Sequence, residues 1–195
     1  MGSTVIDLLR HGEPVGGRSF RGNGIDDPLS ENGWRQMRSA LSEDMAWQAI
    51  VTSPMRRCRD FAEDLADRRG IPLRVEMDLR EVGFGAWEGR TPEDILRDRP
   101  DEYAAFYKDP VNNRPSGAEP LPDFYQRVIR SFERIQKDYQ GQQLLLVTHA
   151  GVIRAVMTCI MQAPLASMYR LGIGYAGFCR VRISDKNTRI EKINA

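Results

Sequence analysis

The chain has 195 residues and a formal net charge of +1, a length that fits one domain with a sizeable core better than two. Near-neutral charge without a run of like charge excludes the basic footprint of a nucleic-acid binder, and no stretch reaches membrane-spanning length. Three cysteines, Cys58, Cys159 and Cys179, are odd in number and lack metal-type spacing, so a soluble, unprocessed cytoplasmic chain with core-packed thiols is expected.

Thr4 to Leu9 is an apolar β-type run that ends abruptly at Arg10-His11-Gly12. A strand stopping there puts a guanidinium and an imidazole at the carboxyl end of a sheet, where open α/β folds bind ligands, and Gly12 permits a sharp turn. A glycine-rich loop follows at 16–24. Ser30 then caps a predicted helix with Trp34, Met37 and Leu41 on one face. Residues 49–52 predict a second strand, and Ser53-Pro54 reads as N-cap and first residue of a helix stopping near Gly70-Ile71-Pro72. Leu73 to Val75 predicts a third strand, with Asp78 to Arg90 as a loop.

Thr91 and Asp94 are spaced as a capping box. Residues 91–122 are too rich in proline for regular sheet and predict a helical excursion over the strand ends, the natural place for a lid or specificity cap. Phe124, Val128, Phe132, Ile135 and Tyr139 mark a long amphipathic helix whose stripe is explained by core packing. Leu144 to Thr148 is a buried-strand run that ends in His149-Ala150-Gly151 and a helical segment to Met161. Cys179, Val181 and Ile183 alternate with Phe178, Arg180 and Arg182, which predicts an antiparallel edge strand followed by residues 189–194. The alternation of strand and helix patterns predicts a single α/β domain over 1–195, a three-layer α/β/α sandwich with a mostly parallel sheet.

The chain has only two histidines, and both follow a hydrophobic strand that runs into a glycine turn. Singly, each reads more readily as a hydrogen-bonded structural residue; the shared context raises both above that background. Arg10-His11, the 53–57 segment, the loop around Glu81 and Thr148 to Gly151 all fall where strands end. Arginines near helix N-termini suit a dianionic phosphoryl group, because the guanidinium fork matches its oxygens and the helix dipole adds to the field. Arginine-rich surroundings and the absence of a close ligand pair speak against a metal, and no cofactor is expected.

The ordered set Leu-Leu-Arg-His-Gly-Glu at 8–13, Ser-Pro-x-x-Arg at 53–57, the Glu81 loop and Thr-His-Ala-Gly-Val-Ile-Arg at 148–154 closely resembles the histidine phosphatase superfamily, of phosphoglycerate mutase-like fold. The resemblance spans nearly the whole chain. It implies that His11 is a nucleophile that becomes phosphorylated, that Arg10, Arg57 and His149 bind the phosphoryl group, with His149 protonated beside it, and that Glu81 is the proton donor. Family spacing selects Arg57 over Arg56. The chemistry further requires an acceptor, such as a backbone carbonyl, on the second ring nitrogen of His11.

Ser19, Arg21, Gly22 and Asn23, in the loop where relatives contact substrate, and Gly151 are the candidate substrate contacts. Glu13 and Glu88 are expected to orient arginines by ion pairing. The short excursion favours a small-molecule phosphomonoesterase over a cofactor-dependent phosphoglycerate mutase, and the retention of His11, Arg57, Glu81 and His149 speaks against a non-catalytic phosphate-binding module. Residues 79–89 and 116–128 look most like α-ribazole phosphatase of cobalamin biosynthesis, with broad-specificity and sugar-bisphosphate (fructose-2,6-bisphosphatase-like) phosphatases as the alternative. Oligomeric state is not readable from the sequence.

Overall fold

In a computed structural model of the chain, which describes residues 2–184 and 187–194, strands β1 (Thr4–Arg10), β2 (Ala49–Thr52), β3 (Leu73–Val75), β4 (Gln143–Thr148), β5 (Phe178–Ser184) and β6 (Asn187–Lys192) form one sheet of order β3-β2-β4-β1-β5-β6. The β3-β2-β4-β1 part is parallel, and β5 and β6 add antiparallel to it. β5 is therefore paired on both sides, and the edge that the alternating pattern assigned to it belongs to β6.

Side-chain alternation along the central strands explains the three layers. Leu144 and Leu146 of β4 face one core, whereas Leu145 and Val147 face another. The first core is closed by α5 (Leu121–Asp138) and α6 (Ala150–Ile160) through Phe124, Val128, Val152 and Val156; α3 (Pro92–Asp98) and α4 (Pro100–Lys108) add Ile95 and Phe106. The second core is closed by α1 (Glu31–Ser39) and α2 (Arg56–Arg69) through Met37, Phe61 and Leu65. Burial on both faces is why these strands read as continuous hydrophobic runs. The buried Asp7 in β1 is the exception, and it specifies register: its cross-strand partner on β5, Arg180, grips it with two hydrogen bonds of 2.7 and 2.8 Å, and Trp47 Nε1 donates a third at 2.8 Å.

Ser30 caps α1, its side chain accepting from the Gly33 N–H, and at Thr91 both halves of the capping box form. Leu41 lies beyond the end of α1. The start of α2 differs: Met55 is its N-cap, without a side-chain bond, and Ser53-Pro54 lie before it. The Ser53 hydroxyl is engaged elsewhere, as described below. The 78–90 loop touches one short 3-10 turn, Met77–Leu79, and contains another, Gly85–Trp87. No helix among the described residues is long and apolar enough to cross a membrane.

Candidate active site

Three neighbouring parallel strands, β2, β4 and β1, deliver their carboxyl ends to one place. The ladder continues one residue past β1 and β2: the His11 N–H bonds the Thr148 carbonyl at 2.9 Å and the Ser53 N–H bonds the Val147 carbonyl at 3.0 Å. His11 and Ser53 are thereby held by backbone; His149 follows β4 directly as the N-cap of α6, and Arg57 is added from the first turn of α2. Glu81 arrives from the loop after β3. Arg10, His11, Arg57 and Glu81 line one cavity of about 490 Å³.

His11 Nδ1 lies 2.8 Å from the Gly12 carbonyl, which can only accept, so this nitrogen carries the proton and Nε2 keeps its lone pair. This is the acceptor the chemistry requires. Burial, reinforced by the charges of Arg10 and Arg57, pushes the His11 pKa well below 6.5. His149, its ring edge-to-face with His11 at 5.2 Å between centroids, is shifted the same way by burial and then by Arg57 and His11. These effects favour the neutral ring; the protonated form expected beside phosphate would require the charge of a bound anion to offset them.

Ser53 Oγ is 2.7 Å from His149 Nε2 and also accepts the Met55 N–H at 3.3 Å. The Cys58 thiol sits 3.6 Å from the same imidazole nitrogen and donates to the Thr148 carbonyl; burial pushes its pKa up, so it is a neutral thiol. Ser53 is thus a site residue that the sequence misassigned to a helix cap. Its signal, a Ser-Pro at a strand end, fits both roles.

Arg10 donates to the Ile173 carbonyl at 2.6 Å and lies 4.4 Å over the Tyr175 ring, with its pKa lowered to about 10 by burial. Arg57 reaches across to the carbonyls of Ile25 (2.9 Å) and Gly22 (2.8 Å). Among the described residues neither forms an ion pair, and the buried Nε of each has no hydrogen-bond partner, donors that an oxyanion would satisfy. Arg56, by contrast, is half exposed beside Asp60. Glu81 is held by two N–H groups, from Val82 at 2.9 Å and Gly151 at 3.2 Å. A methyl group on Gly151 would overlap Glu81 Oε1. Gly151, expected to contact substrate, is instead buried and holds Glu81.

Of the 18–24 loop, Ser19, Arg21 and Gly22 line the cavity. Arg21 is chiefly a loop staple: Nε pairs with Asp27 at 2.9 Å while its other nitrogens bind the Gly17 and Val15 carbonyls. Asn23 does not reach this cavity; it lines a separate hollow with Gly83, Glu88 and Glu119. Neither Glu13 nor Glu88 pairs with an arginine among the described residues. Glu13 accepts from Ser30 Oγ, and Glu88 accepts the Phe84 N–H while packing against Gly22 and Gly24. Phe84, Tyr107, Arg154, Tyr169 and Tyr175 complete the lining, with the Tyr175 ring 6.1 Å from that of His11; Phe84 and Arg154 fall within sequence motifs, whereas none of the three tyrosines was singled out. Only the glycine spacing around Tyr175 signals a tight loop there.

An α/β sandwich whose strand ends gather two buried histidines, two unpaired guanidiniums and one carboxylate around a cavity defines an oxyanion-binding site of the phosphoryl type. The family model for the histidine phosphatase superfamily (branch 1) matches residues 6–195, and the chain belongs to that family. It is 33% identical over 177 residues to a bifunctional protein of Mycobacterium tuberculosis, covering 89% of this chain but 48% of that protein, so the chain spans about half that relative's length. It is 26% identical over 191 residues to the adenosylcobalamin/alpha-ribazole phosphatase of Salmonella typhimurium, 96% of this chain and 95% of the relative. Among solved structures it is similar to a mycobacterial glucosyl-3-phosphoglycerate phosphatase, with 28% identity, a TM-score of 0.85 and 98% of each chain covered.

Proposed function

We propose that the chain is a metal-independent phosphomonoesterase that works through a phosphohistidine. The observation that carries this reading is the Nδ1–H bond from His11 to the Gly12 carbonyl, which leaves Nε2 as a neutral nucleophile inside a cluster of guanidiniums. Nε2 attacks phosphorus as the bond to the leaving oxygen breaks, and Glu81 passes a proton to that oxygen. Arg10, Arg57 and His149 neutralise the equatorial oxygens in the transition state. Water then attacks the phosphohistidine, Glu81 takes its proton, the phosphorus–nitrogen bond breaks and phosphate leaves.

For the substrate we favour α-ribazole 5'-phosphate. The relative from Salmonella supports this, as does the aromatic wall of Phe84, Tyr107, Tyr169 and Tyr175, which suits a flat ring on the leaving group. Residues 91–122 act in this reading as the specificity cap, contributing Pro92 and Tyr107 to the cavity. A second reading, a broad-specificity or sugar-bisphosphate phosphatase, is favoured by Arg18 and Arg154 on the same wall, cations suited to a second anionic group. The free state of Cys58, Cys159 and Cys179 fits a cytoplasmic location.

Acid quench during turnover should trap an acid-labile phosphohistidine, and its absence would sink the covalent mechanism. A panel of α-ribazole 5'-phosphate, fructose 2,6-bisphosphate and 3-phosphoglycerate should rank the first highest in kcat/KM. No preference for it would remove the cobalamin assignment and leave the phosphatase reading intact.

A further inference from the structure

Two backbone N–H groups, those of Val82 and Gly151, hold the Glu81 carboxylate. Its aim therefore depends on where the backbone of residues 78–83 lies, and no strand or helix contains that backbone beyond the short turn ending at Leu79. Arg127, on α5, supplies the missing restraint. Its Nη1 donates to the carbonyls of Asp78 (2.6 Å) and Arg80 (2.9 Å), and its Nη2 to the carbonyl of Glu81 (3.0 Å). Nε and Nη2 also grip Glu119 in a two-point ion pair of 2.7 and 2.9 Å.

Glu119 closes the arrangement from the other side. Its carboxylate accepts the Gly83 N–H at 3.1 Å, and its own N–H returns to the Gly83 carbonyl at 3.1 Å. Burial works against its ionisation, but the hydrogen bonds and charge of Arg127 outweigh that and hold its pKa below the ordinary value. Both side chains are largely buried, at 12% and 16% exposure, so solvent screens the pair little. The guanidinium lies 4.8 Å over the Phe124 ring, and that ring also neighbours Gly151, the second holder of Glu81. Arg114 holds the same loop through the Gly83 carbonyl at 2.8 Å and Thr148 Oγ1 bonds the Leu79 carbonyl, but Arg127 is the side chain that reaches the carbonyl of Glu81 itself.

We infer that the Arg127–Glu119 pair positions Glu81 for proton transfer, a role that rests on the reading of Glu81 as the proton donor. Proton transfer needs heavy atoms within hydrogen-bond reach, so a small shift of the loop costs rate only where the leaving group needs the proton. An alkyl ester needs it and a nitrophenyl ester does not. Neither side chain of the pair hydrogen-bonds a member of the phosphoryl cluster, although the charge of Arg127 is felt at His149; Arg127→Lys keeps that charge.

The test compares Arg127→Lys and Glu119→Gln, each with and without Glu81→Gln, on glycerol 3-phosphate and p-nitrophenyl phosphate, with rates normalised to the folded fraction from circular dichroism. Arg127→Lys keeps the charge and loses the fork. We expect kcat on the alkyl ester to fall about 10- to 100-fold while the aryl ester stays within about threefold. In the Glu81→Gln background, Arg127→Lys should cost the alkyl ester nothing more, because both changes remove the same step.

Equal losses on the two esters, or full additivity with Glu81→Gln, would overturn the positioning role. A selective loss in Glu81→Gln alone would then leave the acid itself standing. If Glu81→Gln fails to discriminate the esters, the acid reading falls and the positioning role falls with it.

Discussion

The cavity has two walls of different construction. On one side, Arg10, His11 and Arg57 line it from the end of β1 and the first turn of α2, with the fully buried Ser53 and His149 close by at the ends of β2 and β4. On the other side, Ser19, Phe84, Tyr107, Arg154, Tyr169 and Tyr175 come from loops, α4 and α6, and much of that wall is aromatic contact, such as Phe106 against Phe84 and Tyr169. The first wall is rigid because sheet hydrogen bonds hold Arg10, His11 and Ser53, and the carbonyls of Ile25 and Gly22 hold Arg57. The second can change residue by residue while the sheet stays intact. In the proposed function the first wall carries the reaction chemistry and the second the substrate choice.

The sharpest way to break that division is to remove the nucleophile. His11→Ala should lower turnover of every phosphate ester at least ~10³-fold, whatever its leaving group, because no neighbouring group can take over the covalent step. Steady-state rates with one aryl and one alkyl ester measure it. Substantial residual turnover of either would move the chemistry away from the strand ends.

A second prediction uses the buried imidazoles. Burial, followed by the nearby arginines for His11 and by Arg57 and His11 for His149, holds both pKa values well below 6.5. As pH falls below 6.5, the unfolded chain takes up protons that the folded chain refuses. Stability therefore declines with falling pH, by roughly 1.4 kcal/mol per pH unit for each histidine, until the folded pKa is reached. Urea titrations between pH 7 and pH 5 should show this slope. His11→Gln should reduce the slope by about half, and inorganic phosphate should flatten it by favouring a charged His149. A pH-independent stability over that range would mean the two rings are not held neutral.

The same contrast explains what could be read from sequence. β1, β2 and β4 were legible because strands covered on both faces are nearly unbroken apolar runs, and their ends point to His11, Arg57 and His149. Arg21 and Gly151 looked like substrate contacts because polarity and glycine at a loop say nothing about direction; in the structure the first staples its loop and the second holds Glu81. Ser53 was misread because a helix cap and an imidazole partner call for the same hydroxyl at the same strand end. Tyr107, Tyr169 and Tyr175 come from α4, a 3-10 turn and the loop just before β5, and no periodicity connects them. Their convergence depends on how α4 and the 165–175 segment pack, which is a tertiary fact.

The smallest effect should come from that loosely coded wall. Tyr107 lines the cavity from α4 and is 48% exposed, so removing its ring takes away contact with a leaving group while leaving the core beneath nearly unchanged. Tyr107→Ala should raise KM for a ring-bearing ester such as α-ribazole 5'-phosphate about tenfold, as losing an apolar contact worth roughly 1–2 kcal/mol implies. Glycerol 3-phosphate, too small to reach the ring from the strand ends, should keep its KM within about twofold. The ratio of the two is the informative quantity, because a general loosening of the site would raise both together. If both do rise together, α4 supports the strand-end cluster itself, and the two walls act as one unit.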